Sequence, residues 1–254
     1  MKQFLIATIS NDLAPYQSLR DSIAAAGFTD KDCRFVVYDN SDSNRFEPYQ
    51  VLRDLQSDGD EPYVILCHHD LVFGPETTLQ LLQQEIEVLN QLHPQWAVAG
   101  CAGMSRRGEV LFFMDDPRGS YRSNGLPRKV ISLDESFLLF CRSRFPVPSS
   151  DVSGFHFYGT DVAVNATLAG NCAAVIRFPL RHLSGGNVST PAFAEARRAF
   201  ERSLRRKLII GSIRTPCAEI VVSCFPWIER LLQRDMVTRL LRRLNLAFIA
   251  KPIR

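Results

Sequence analysis

The sequence predicts an α/β domain with a mixed, mostly parallel sheet flanked by helices, followed by a basic helical extension. Three observations carry that reading. Short apolar runs alternate with segments of helical period over the first hundred residues, the pattern of strands joined by crossover helices. Clusters of polar residues stand directly after those runs. Charge also divides along the chain: from Glu195 to Arg254 there are 14 Lys and Arg against 5 Asp and Glu, net +9, while the preceding residues hold 16 against 22, net −6.

"FLIATI" (4–9) reads as a first buried strand. The helix after it has Pro15 in its first turn and Gly27 as its stop. "RFVVYDN" is a second strand, and a polar loop then leads into a short helix through Leu55. "PYVILCHHD" is the third strand. The segment after it spaces Leu79, Leu82, Ile86 and Leu89 at three- and four-residue intervals, the apolar stripe of a helix. "WAVAG" is a fourth strand. "EVLFF" and "KVISLDESFLLFCR" read as further strands, separated by a Gly/Pro/Ser-rich loop long enough to act as a flap. Thr160 is placed to cap a helix that starts near Asp161 and stops at Gly170. "CAAVIRFPLRHLSGG" is a last core strand. From about Pro191 a new pattern begins, with Phe193, Ala196, Phe200, Leu204 and Leu208 on one helical face and arginines on the other. The chain therefore divides into a domain of residues 1–190 and an extension of residues 191–254.

Seven scattered cysteines without a C-x-x-C pair read as reduced thiols in a core, which argues against a zinc finger or a disulfide framework. No signal-peptide pattern is seen, and no apolar run reaches the roughly 18 residues of a membrane span, so a cytoplasmic location is expected. Neither G-x-G-x-x-G nor G-x-x-x-x-G-K-[ST] occurs, which removes the usual glycine-rich phosphate cradles.

In parallel α/β sheets ligands sit at the carboxyl ends of the strands. Ser10, Asn11, Asp39, His68 and Asp70 occupy such ends. A divalent cation held by one or two carboxylates substitutes for a glycine cradle where phosphates must bind, and Asp70 suits that role. Imidazole beside carboxylate favours Mn²⁺ over Mg²⁺. Strand alternation turns His68 toward the crevice and His69 away. The same cluster also reads as polar residues that end a strand.

The order of these features resembles the nucleotide-sugar-dependent glycosyltransferases of the GT-A fold, in particular the bacterial, inverting, family-two-like group. The resemblance covers about Met1 to Gly186. In that family a D-x-D-type motif at the end of the third strand holds the donor diphosphate through a metal ion. Here "HHD" stands in its place, with His68 at the first aspartate and Asp70 at the second. The resemblance implies Asp39 at the nucleotide base or ribose, with Ser10 and Asn11 nearby. It implies Asp134 before a strand lining the acceptor site and His156 in the acceptor pocket. His182 becomes a further metal or diphosphate ligand. Asp161 becomes the base that takes the acceptor hydroxyl's proton; the preceding residue, usually acidic, is Thr160 here. An Asp in a first helical turn is also favoured by the helix dipole alone.

These readings imply an enzyme that moves a sugar from a nucleotide-sugar donor to a glycan or lipid-linked acceptor with Mn²⁺ or Mg²⁺, in bacterial surface polysaccharide synthesis. The departures at His68 and Thr160 leave open a non-catalytic nucleotide-sugar or glycan-binding module. The basic tail either packs on the body or meets an anionic membrane surface, where each Lys or Arg contributes on the order of 1 kcal/mol; a membrane-associated adaptor is the third reading. Nucleic acid is disfavoured as a partner by the acidic body and the absence of a reading motif.

Overall fold

In the computed structural model of the protein, residues 2–185, 190–207 and 211–223 are described, with residues 225, 227 and 228. Leu208, Gly186 and the second basic amphipathic segment with Leu231, Leu240 and Leu244 lie outside them. In chain order the elements begin β1 Phe4–Ser10, α1 Leu13–Ala25, β2 Cys33–Asp39, α2 Pro48–Ser57, β3 Tyr63–His68, β4 Leu71–Phe73 and α3 Leu79–Leu92. There follow β5 Trp96–Gly100, β6 Ala102–Met104, β7 Val110–Asp116, β8 Gly119–Arg122, β9 Arg128–Val130, β10 Ser132–Leu133 and β11 Phe137–Cys141. The last are α4 Tyr158–Leu168, β12 Cys172–Val175, β13 Leu180–His182, α5 Pro191–Arg206, β14 Gly211–Arg214 and β15 Glu219–Val222.

The central sheet has the order β2-β1-β3-β11-β5-β12-β9. β1, β2, β3, β5 and β12 run one way; β11 and β9 oppose them. Helices cover both faces, which is why the strands read as apolar runs rather than alternating ones. β1 sends Phe4 and Ile6 into the layer with Leu19 of α1 and Leu82 of α3, and Leu5 and Ala7 into the layer with Leu52 of α2 and Val162 of α4. Each fully buried Leu or Ile contributes about 1.5–3 kcal/mol. The same two-residue period in β3 puts Val64 and Leu66 on the α4 side, and carries His68 there with them.

A second, smaller sheet, β10-β6-β7-β13-β4 with β8 on β7, packs at one end. It was not visible as a separate sheet in the apolar pattern. The expected strand 129–142 is broken into β9, β10 and β11; between the last two, Asp134 Oδ1 accepts the Ser136 amide at 2.9 Å, a local turn that bends the chain. The expected strand from Cys172 is divided into two. β12 stays in the central sheet, and after Pro179 the chain crosses to pair β13 with β4. Buried Glu85 of α3 fixes that crossing by accepting the Arg177 amide at 2.9 Å and its Nε at 3.2 Å. The anticipated flap is a β7–β8 hairpin. α4 begins one turn earlier than expected: its N-cap is Phe157, in the left-handed region at φ 67°, while Thr160 is buried within the first turn.

The extension differs most from expectation. α5 forms as the spacing predicts, with Ala196, Phe200 and Leu204 buried. It is followed by a β-hairpin, β14–β15, and not by continuous helix. Phe200, Leu204, Ile213, Ile220 and Val222 pack with Phe157 and Val164 into one apolar cluster, so this part of the segment seats on the body. Among the described residues no helix is long and apolar enough to cross a membrane.

Candidate metal and nucleotide-sugar site

The carboxyl ends of β1, β2 and β3 open onto a cleft of about 360 Å³ whose walls include Asn11, Asn40, His68, His69, Asp70 and Tyr158. β3 stops at His68 and β4 starts at Leu71, so the intervening turn is short. β13 lies antiparallel to β4 with His182 opposite Leu71, and the Leu183 amide donates to Asp70 O at 3.0 Å. Pairing of two three-residue strands thus brings a histidine from more than a hundred residues away against Asp70.

Asp70 Oδ1 lies 3.2 Å from His182 Nε2 and 3.9 Å from His68 Nδ1. One ligand atom from each of the three residues falls within 4.8 Å of the others, so they form a candidate metal site. Two imidazoles and a carboxylate suit Mn²⁺ or another transition ion better than Mg²⁺. Burial pushes the Asp70 carboxyl up, but hydrogen bonds to His182 and Ser184 and the neighbouring imidazole charge outweigh it and hold the pKa well below the usual carboxylate range. Burial lowers the His182 pKa, but its hydrogen bond to Asp70 together with the charges of Asp70, Asp134 and Asp116 raises it overall. Burial and the adjacent His182 lower that of His68.

The tautomer of His68 follows from its partner. Tyr158 donates its single hydroxyl proton to Glu135 O at 3.1 Å. The contact between Tyr158 Oη and His68 Nε2 at 2.9 Å must then be donated by the imidazole, which leaves His68 Nδ1 with its lone pair toward Asp70. His69 does not pack away as strand alternation implied. The strand ends before it, and its ring lines the cleft with Nδ1 2.9 Å from Ser10 Oγ. Ser10 Oγ donates to Asp12 O at 2.6 Å, so it accepts from His69 Nδ1. Ser10 is fully buried and acts on His69, leaving no hydroxyl for a donor.

Asn11 lines the cleft as expected. Asp39 is not among the residues lining it; its carboxylate accepts the Ser41 amide at 2.9 Å, and that bond lowers its pKa. The adjacent Asn40 takes the place in the wall.

Asp161 requires a correction. Its side chain is fully buried and is not part of the cleft. Its carboxylate accepts from the Ser149 amide at 2.7 Å, Ser149 Oγ, Asn165 Nδ2 at 3.1 Å and Lys207 Nζ at 3.1 Å. With four donors engaged and no solvent access, it ties α4 to the loop at Ser149 and to the end of α5. It cannot take a proton from an acceptor.

Asp134 and His156 line a second cavity, of about 160 Å³, which shares His68 and His182 with the metal site. Glu135 lines it too. Its carboxyl is pushed well up by burial and by the charge of Asp134, against hydrogen bonds from the amides of Phe157, Gly159 and Tyr158 at the start of α4. The carboxyl group that meets that helix N-terminus is thus Glu135 of the β10–β11 bend and not Asp161, the residue the resemblance pointed to. The sequence signal for Glu135 was the acidic pair in "LDES", which reads equally well as the start of a strand.

No protein-family profile matches the chain. A protein of Fuscovulum blasticum, described as ATP synthase subunits region ORF 6, is 31% identical over 210 residues, 80% of this chain and 84% of its own. Among solved structures, GalNAc-T7, crystallised with UDP, GalNAc and Mn²⁺, matches with a TM-score of 0.53 and 7% identity over 80% of this chain. The match spans 48% of that larger chain, about half its length. The mannosyltransferase PcManGT from Pyrobaculum calidifontis, in complex with GDP-Man and Mn²⁺, matches with a TM-score of 0.50 and 10% identity over 96% of this chain and 72% of its own. At these identities the likeness is one of fold, and the fold is GT-A.

Proposed function

Because the chain belongs to the family of the Fuscovulum blasticum ORF 6 protein and has the GT-A fold, we propose that it is a glycosyltransferase that moves a sugar from a nucleotide-sugar to a saccharide acceptor. The observation that carries this reading is the convergence of His68, Asp70 and His182 between the strand-end cleft and the second cavity. Breaking a sugar–phosphate bond builds negative charge on the leaving diphosphate and positive charge on the sugar. A divalent cation, when bound, supplies Lewis-acid stabilisation of the former. The three residues fit such an ion in number and reach, and would hold it.

Asn11 offers a neutral hydrogen-bonding group to the nucleoside, while the Asn40 side chain, donating to Phe46 O and accepting the Arg45 and Phe46 amides, shapes the wall beside it. The acceptor enters through the second cavity, beside Asp134 and His156. A single displacement there inverts the anomeric centre and needs a base on the acceptor side. Asp134 replaces Asp161 in that role: it lines the cavity, and it keeps one carboxylate oxygen free of the Ser136 bonds, which both fall on Oδ1.

Calorimetric titration with UDP and GDP, each with Mn²⁺ and with EDTA, tests the reading. Mn²⁺ is expected to tighten at least one nucleotide by about tenfold or more, and the matching nucleotide-sugar should be hydrolysed slowly without acceptor. Binding indifferent to Mn²⁺, with no donor turned over, would rule it out.

The extension adds a place of action. Trp227 and Phe225 are 67% and 44% exposed, and residues 228–254 hold 7 Lys and Arg against 2 acidic residues. This composition supports docking to an anionic bilayer, where a lipid-linked acceptor for surface polysaccharide would lie. Co-sedimentation with phosphatidylglycerol vesicles should exceed that with phosphatidylcholine and weaken with salt; equal recovery on both would dismiss it.

A further inference from the structure

The second cavity is only partly made by the main body. Its inner wall is Asp134, Glu135 and His156, and its outer wall is Phe193 of α5 with Thr215 and Cys217 from the β14–β15 turn. α5 is built into the wall: the Phe193 ring lies 5.2 Å from His156 at 72° and 5.0 Å from Phe157, which also stacks on Phe200 at 5.5 Å. The hairpin is fastened in turn, Ser132 Oγ donating to Arg214 O at 2.8 Å.

The wall has a definite chemistry. Aromatic rings alternate with hydroxyl and carboxyl oxygens, and among the described lining residues there is no Lys or Arg. The nearby Arg118 is engaged with Gly185 O at 2.7 Å, and His182 is engaged with Asp70. Apolar rings with a few convergent acceptors suit a ligand with one flat C–H face and several hydroxyl groups. The Asp134 carboxylate, with no Lys or Arg beside it among the described lining residues, disfavours an anionic ligand. A void of this size holds about one six-membered ring.

We propose that this cavity seats one uncharged sugar ring of the acceptor, and that the C-terminal segment completes it through Phe193, Thr215 and Cys217. The role as acceptor seat rests on the transferase reading above; the sugar pocket itself does not. It assigns to the segment after Pro191 a part in substrate choice, where composition alone suggested packing or membrane contact.

Saturation-transfer NMR on the full chain tests it with a panel of methyl glycosides: glucoside, galactoside, mannoside, rhamnoside and N-acetylglucosaminide, together with methyl glucuronide and galacturonide. At least one neutral glycoside should bind, and the uronides should bind at least about tenfold more weakly than it. Cys217→Trp, at an exposed turn position, should weaken that glycoside by a similar factor while leaving Mn²⁺-dependent nucleotide binding within about twofold. A second variant, Thr215→Arg, should shift preference toward the uronides. No neutral glycoside bound, uronides preferred by the wild type, or binding undiminished in Cys217→Trp would each overturn the proposal. Glycoside binding without nucleotide binding would support the pocket and refute the transferase instead.

Discussion

Asp70→Ala is expected to abolish Mn²⁺-linked nucleotide binding, with a loss of about 100-fold or more, and to bring donor turnover to background. Asp70 is the member of the candidate triad that touches both others, so its removal leaves two imidazoles with no carboxylate between them. The hydrogen bond that raises the His182 pKa goes at the same time, so that imidazole loses the partner that orients it. A purely structural ion pair would behave differently. In that case Asp70→Ala would lower the thermal midpoint of the apo chain, while the additional stabilisation by Mn²⁺ would persist. A ligand role predicts the reverse pattern. Mn²⁺ at about 100 times its Kd should stabilise the wild type by about 2.7 kcal/mol and leave Asp70→Ala unmoved. His182→Ala should reproduce that loss, because three ligands acting as one unit are not additive. A Mn²⁺ shift surviving in both variants would remove the metal site from this part of the fold.

That site was only half legible in the sequence. His68 and Asp70 stood out because they follow an apolar run buried on both faces, and such a run can end only where the sheet ends. The same logic located Asn11 and the Asp39-Asn40 pair. It could not choose within the pair, because Asp39 forms its turn with Ser41 through a bond that any Asp-x-Ser loop can make. It misdirected His69, because alternation holds only while the strand lasts and β3 stops one residue earlier. His182 was legible as a strand-end residue, but its meeting with Asp70 depends on β4 and β13. These are three residues each and too short to show a period, and they pair across more than a hundred residues. The second sheet was hidden for the same reason. The β14–β15 hairpin was overlooked because the helical arginine pattern on either side of it dominates composition.

The Asp161 position shows the limit most clearly, since an acid in the first turn of a helix is the same letter whether it serves chemistry or architecture. Asp161→Ala is expected to cost about 3–5 kcal/mol of stability, the range for breaking one side of a buried ion pair. The substitution leaves the Ser149 amide and Lys207 Nζ without their carboxylate in a region where Asp161 is wholly shielded from water. Chemical denaturation should read this as a lower midpoint with an unchanged slope. Lys207→Met in the same background should recover part of the loss, because the uncompensated cation goes with it, and the coupling in the double-mutant cycle measures the pair. Folded Asp161→Ala protein, held below its midpoint, should bind nucleotide with Mn²⁺ as the wild type does and retain donor hydrolysis. A variant with wild-type stability and no transfer would return Asp161 to the base role and take it from Asp134. The expected outcome separates the two carboxylates by place: one locks α4 to the C-terminal helix from inside, and the other faces the cavity that the same helix closes.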